Sequence, residues 1–84
     1  MIAVHFFASI REALGVEHKT FDLPKDVETV EQLITFLAQQ HGGTWSEILG
    51  KGSVMVAVNH EMAERSARLQ AGDEVAFFPP VTGG

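Results

Sequence analysis

Apolar residues return at every second position near the start of the chain, where Ile2, Val4, Phe6 and Ala8 alternate with Ala3, His5 and Phe7. That period belongs to a strand with one face toward a core, and the β-branched and aromatic content agrees. Ser9 followed three residues later by Glu12 has the spacing of a capping box. A short helical turn is therefore expected through "IREAL", stopped by Gly15. "HKTFDLP" alternates again around Thr20, Phe21 and Leu23 and predicts a second strand, ended by Pro24, which has no N–H to donate. The period then lengthens. In "TVEQLITFLAQQHGG" the positions Val30, Leu33, Ile34, Leu37 and Ala38 recur at helical spacing and form one apolar stripe. Thr29 and Gln32 supply a second capping box. Glu28 and Glu31 stand at the positive end of this helix and His41 near its negative end, and Gly42 or Gly43 can close it in the left-handed conformation.

Beyond the helix, "TWSEILGKGS" reads as a loop with one short helical turn that tucks Trp45 and Leu49 against the domain. "VMVAVN" predicts a buried strand with Val54, Val56 and Val58 on one side. "HEMAERSARLQAGDEV" predicts turns and one short edge strand, anchored by Leu69. Ala71, Gly72 and Asp73 make the turn into a last strand, Glu74 to Phe78, in which Val75 and Phe77 face opposite to Ala76 and Phe78. Pro79 and Pro80 end it. One amphipathic helix can cover one face of one small mixed sheet, so this order predicts an α+β fold of the β-grasp type. Its first and last strands can pair in parallel at the centre, with the helix as crossover. The domain is expected over residues 1–78, with an extended tail over 79–84.

Composition narrows the chemistry. The chain has 84 residues, 45% of them hydrophobic, which suits one compact domain with a limited core. It has no cysteine, which excludes disulfides, thiolate metal sites and a cysteine nucleophile, so any sulfur chemistry uses sulfur brought from elsewhere. Eleven acidic residues against six basic ones give a formal net charge of -5 with no Lys/Arg cluster, so nucleic acid is not expected as a partner. "MIAVHFFASIR" lacks a basic leader and a cleavage site, and no stretch has the length of a membrane span. A cytoplasmic location, away from membranes, is expected.

Few residues carry candidate chemistry of their own. His5, His18, His41 and His60 are scattered over different elements, and no metal site is expected from them. "GKGS" lacks the earlier glycine of a phosphate loop, since Trp45 stands there, and has Gly52 where Ser or Thr should follow the lysine. Asp73 with Glu74, and Glu61 with Glu64, read as solvated turn residues. Phe7 and Phe78, by contrast, project from the sheet face that no second helix covers, and Met62 can join them in a protein-binding patch. At the end of the chain, "FFPPVTGG" stiffens and aims a tail whose last two residues lack side chains. A carboxylate preceded by Gly-Gly can enter a channel where any β-carbon would clash. Being a poor acyl donor, it would need activation as an acyl adenylate before a sulfur or nitrogen nucleophile could displace AMP.

"FFASIREALG" from Phe6, "VAVN" from Val56 and above all "GDEVAFFPPVTGG" from Gly72 resemble the small subunits of molybdopterin synthase, a family of ubiquitin-like sulfur carriers. The resemblance implies that Gly84 is adenylated by an E1-like, ATP-using enzyme and converted to a thiocarboxylate with sulfur from a separate donor. It implies that Pro79, Pro80, Val81, Thr82 and Gly83 insert into the large synthase subunit, where sulfur passes to cyclic pyranopterin monophosphate. Phe7, Arg11, Met62 and Phe78 would contact partners in a heterotetramer, and the chain itself would bind no cofactor. It would act as co-substrate, with the acid-base residues on the large subunit. The same tail also suits a ubiquitin-like modifier or a thiamine-pathway sulfur carrier. A non-covalent interaction module would make no chemical use of the glycines.

Overall fold

The computed structural model describes residues 1–80. Five strands, β1 (Ile2–Phe6), β2 (His18–Phe21), β3 (Met55–Val58), β4 (Glu61–Ala63) and β5 (Glu74–Phe78), form one sheet in the order β2-β1-β5-β3-β4. The β1/β5 pair at its centre is parallel, in the register Val4↔Val75 and Phe6↔Phe77, and the other neighbours are antiparallel. A parallel pair needs a long crossover. It contains α2 (Val30–His41), whose stripe of Val30, Leu33, Ile34 and Leu37 is buried with Ile2, Val4, Phe6, Val56, Val75 and Phe77 from one face of the sheet. Two shorter helices complete the fold, α1 (Ala8–Leu14) and α3 (Gly43–Leu49). This is the mixed-sheet α+β arrangement that the order of apolar periods predicts.

The core is closed by aromatic contacts. Phe6 and Phe77 stack at 6.0 Å with 13° between their planes, and Trp45 meets Phe6 edge-on at 5.3 Å. Leu69, also buried, pins the long connection between β4 and β5 as expected.

The ends of α2 follow the sequence closely at one side and less so at the other. Thr29 Oγ1 accepts from the Gln32 N–H, and Gln32 Oε1 accepts from the Thr29 and Glu28 N–H groups, which is the predicted reciprocal cap. Gly42 ends the helix with φ 97° and ψ -169°. That positive φ suits glycine, but the ψ is extended where the left-handed closing conformation was expected. The reason is that the chain restarts at once. Gly42 also caps α3, so the expected loop with one short turn is a seven-residue helix.

Two expectations at the first turn are corrected. Ala8 is not the end of the strand. It begins α1, with a φ of 51° that turns the chain sharply off the sheet. Phe7 is therefore the N-cap residue, and no side chain caps this helix. Ser9 lies one residue inside the first turn, where its hydroxyl is not at the capping position, so the Ser9/Glu12 box does not form. Gly15 does stop the helix, in the left-handed conformation at φ 73°, with its N–H donated to the Arg11 carbonyl.

Candidate functional site

The site is built where β1 and β5 leave the sheet together. Because these strands are parallel, Phe7 and Phe78 emerge at the same end, and the Phe7 N–H donates to the Phe77 carbonyl at 3.0 Å, extending the ladder by one step. Pro79, half-buried, and Pro80, exposed, follow directly. They help line a crevice of about 280 Å³ with Ser9, Ile10 and Ala13 of α1 and with Ile48, Lys51, Ser53 and Val54. The root of the tail thus rests against α1 and the segment after α3. Val81, Thr82, Gly83 and Gly84 lie outside the described residues.

The second face of the sheet carries the predicted apolar patch. Residues pointing away from α2 form cross-strand rows, His5–Ala76–Ala57–Met62 in one and Phe78–Met55 in the next. Phe7 is 47% exposed and Met62 60%, and these two with Met1 are the large hydrophobic side chains most open to solvent among the described residues. Phe78 is half-buried beside them. Arg11 is exposed on α1, the helix that Phe7 caps, and its backbone N–H donates to the Phe7 carbonyl. Phe7, Phe78 and Met62 thus share the open face, and Arg11 stands in the first turns of the helix that leaves it.

Three of the four histidines, scattered along the sequence, gather on that face. His5 Nε2 lies 3.4 Å from Glu74 Oε1, His60 Nε2 lies 3.6 Å from Glu74 Oε2, and the His5 and His18 rings are 5.9 Å apart. His5 shares the outward phase of Phe7 on β1, and Glu74 that of Phe78 on β5, so alternation alone could have placed both. His60 could not be placed that way. It sits in the two-residue turn between β3 and β4, with Asn59 at φ 52° and His60 at φ 69°. Among the described residues, no group of three or more His, Asp or Glu side chains is arranged to hold a metal ion.

Other candidates are structural. Asp73 accepts from the Asn59 side-chain amide at 3.0 Å and from the Gln70 N–H at 2.8 Å, which fastens the turn into β5. The "GKGS" stretch is tied down by Arg65, which donates to the carbonyls of Leu49 and Lys51. His41 stacks on Trp45 at 4.0 Å, and burial, with the Lys19 charge adding to it, holds its pKa below the ordinary 6.5.

The ThiS family model matches residues 4–84. The chain belongs to the ThiS family. Within that family it is 43% identical, over all of both chains, to a protein from Haemophilus influenzae named molybdopterin synthase sulfur carrier subunit. This ThiS-family chain also superposes on the crystal structure of small archaeal modifier protein 1 of Haloferax volcanii with a TM-score of 0.74. The two are 29% identical, over 95% of this chain and 97% of the other. A complex of subunits 1 and 2 of molybdopterin-converting factor from Helicobacter pylori contains a chain of the same fold. Its TM-score is 0.66 at 24% identity, covering 99% of this chain and 97% of that one. The ubiquitin-like β-grasp fold of these proteins is the fold of this chain. No helix among the described residues is long and apolar enough to cross a membrane.

Proposed function

We propose that this chain is the sulfur carrier subunit of a molybdopterin synthase and that the carboxyl group of Gly84 is its reacting group. The whole-length match to the Haemophilus influenzae carrier subunit is the observation that carries this reading. In the proposed cycle an E1-like enzyme joins a Gly84 carboxylate oxygen to the α-phosphorus of ATP, and pyrophosphate leaves. Hydrosulfide supplied by a separate donor then attacks the acyl carbon and displaces AMP, which yields the thiocarboxylate. Pro79, Pro80, Val81, Thr82 and Gly83 carry it into the large subunit, where its sulfur passes to cyclic pyranopterin monophosphate and water takes up the acyl group, restoring the Gly84 carboxylate. ATP belongs to the activating enzyme, and the chain holds no cofactor of its own.

Phe7, Arg11, Met62 and Phe78 are the proposed contacts to both partners in turn. An apolar surface suits successive partners because it demands little directional chemistry, while the tail supplies the discrimination. The subunit 1 and 2 complex from Helicobacter pylori supports a large-subunit partner for a chain of this fold. The proposed location is the cytoplasm.

The likeness to a protein named a modifier supports a second reading, in which a lysine amine attacks the activated glycine and forms an isopeptide. One experiment separates the two. The chain is incubated with ATP, the E1-like enzyme and a sulfur donor, then analysed by intact and C-terminal-fragment mass spectrometry. Replacement of one oxygen by sulfur, confined to the Gly83-Gly84 fragment, is the expected result. The fragment step excludes methionine oxidation, which changes the mass almost equally. An unmodified terminus, beside a control carrier that loads, refutes the proposal, and adducts on target lysines favour the modifier. A residue added after Gly84 is expected to abolish loading.

A further inference from the structure

The open sheet face contains a small pocket whose chemistry is more specific than an apolar patch. Ala57 and Ala76, cross-strand partners on β3 and β5, leave a depression between bulkier neighbours. Phe7 and His5 wall one side, their rings stacked at 6.3 Å with 21° between planes. His60 and Glu74 close one end. The volume is about 160 Å³, well below the roughly 300 Å³ of ordinary small-molecule sites, and suits the end of one long side chain.

Glu74 is the single carboxylate in this lining, and its side chain is 41% exposed. Its oxygens face His5 and His60 at 3.4 and 3.6 Å, distances too long for good hydrogen bonds. Among the described residues no lysine or arginine pairs with it. The pocket thus combines an apolar floor, a flat aromatic wall and a carboxylate with acceptor capacity to spare. A compact ammonium uses the carboxylate alone. A guanidinium uses all three, because its plane stacks on the wall, its stem crosses the alanines and its fork donates to both carboxylate oxygens.

We infer that this pocket receives an arginine side chain from a protein that docks on the open sheet face. The inference takes its docking face from the reading above, but the pocket's preference holds whether or not the chain carries sulfur, and its test needs no partner. The left-handed turn at His60 fits this role. It places an imidazole beside the carboxylate at a position where glycine would be less strained.

The test is a titration of the isotope-labelled chain with N-acetyl-arginine methylamide, and with the lysine and citrulline counterparts, followed by backbone amide NMR at low salt. The expected result is saturable shifts at Phe7, Ala57 and Ala76 with the arginine probe, weaker ones with lysine and none with uncharged citrulline. Glu74→Gln should weaken the arginine response roughly tenfold, the loss of one charge-assisted contact. Its exposed side chain makes unfolding an unexpected outcome, and the citrulline comparison needs no variant. Equal shifts from citrulline, no shifts from arginine, or lysine binding as well as arginine would overturn the inference.

Discussion

Phe77 and Phe78 are neighbours in sequence with opposite tasks, and replacing each by alanine separates stability from docking. Phe77 is fully buried, stacked on Phe6 and enclosed by the α2 side of the core. A core Phe→Ala change costs about 3–5 kcal/mol through lost transfer energy and the cavity left behind. A domain of 84 residues has on the order of 4–13 kcal/mol in total. Phe77→Ala should therefore remove a large part of the stability and lower the melting temperature by more than about 12 °C. Phe78 is half-buried on the uncovered face, so Phe78→Ala should cost no more than about 1.5 kcal/mol. Its docking to the large subunit should nevertheless fall at least roughly tenfold, because aromatics that a partner finishes burying carry much of the contact energy. Urea unfolding followed by far-UV circular dichroism measures the first pair of values, since Trp45 fluorescence would respond to the Phe6 environment directly. Equal destabilisation by the two substitutions, or unchanged docking by Phe78→Ala, would refute the two-faced reading of β5.

Three further outcomes are expected. Thr29→Ala removes a cap that accepts from Gln32 and should cost about 1 kcal/mol in urea unfolding, with Thr29→Asp restoring most of it. His60→Gly relieves a left-handed backbone at φ 69° and should stabilise the fold by about 1 kcal/mol. A loss instead would mean that the contact with Glu74 outweighs the backbone cost. His41 has its pKa lowered in the fold by burial and by the Lys19 charge, so the unfolded chain takes up its proton first as pH falls. Its contribution to stability should be complete above pH 6.5 and decline as pH drops below that value. His41→Gln should flatten this part of the pH profile of urea midpoints, and a profile unchanged by the substitution would remove His41 as its source.

The elements with a sustained period were legible. Alternation at Ile2, Val4 and Phe6 and the stripe of α2 each encode burial on one face, and the structure buries those side chains. The segment after α2 was harder. Trp45, Ile48 and Leu49 have the i, i+3, i+4 spacing of a helix, but a seven-residue run between glycines holds too few repeats for the period to stand out. Ser9 misled because a capping box depends on where the helix begins, and the left-handed Ala8 moves that point back to Phe7. Phe7 and Phe78 fall on one face by parity and by the lack of a second helix, and Met62, just beyond the β3 strand, joins them there. The grouping of His60 with His5 and Glu74 was not legible, since it depends on strand order and on a turn that brings distant positions together. Gly84 stands out by its chemistry and by the family resemblance of its tail, and no folding pattern bears on it.

The parallel pairing of β1 and β5 brings the proposed contact residues and the root of the tail to one end of the sheet. In an antiparallel pair Phe7 would leave the sheet at the end opposite Phe78, and a partner gripping both would lie along the length of the strand. In the parallel pair both rings emerge at one end, and Pro79 follows Phe78 directly. A surface that holds Phe7 and Phe78 therefore fixes the tail's starting point and direction, since β5 aims it and two prolines restrict the first turns the chain could take. Six residues from Pro79 reach at most about 20 Å when extended, so the proposed reacting carboxyl of Gly84 can lie no farther than that from the end of β5. In the proposed cycle the fold and the tail length thus bound the distance between the docking face and the carboxyl. Inserting residues between Pro80 and Val81 should then leave docking on the sheet face intact while displacing the carboxyl from its reaction centre, which divides the two tasks within one chain.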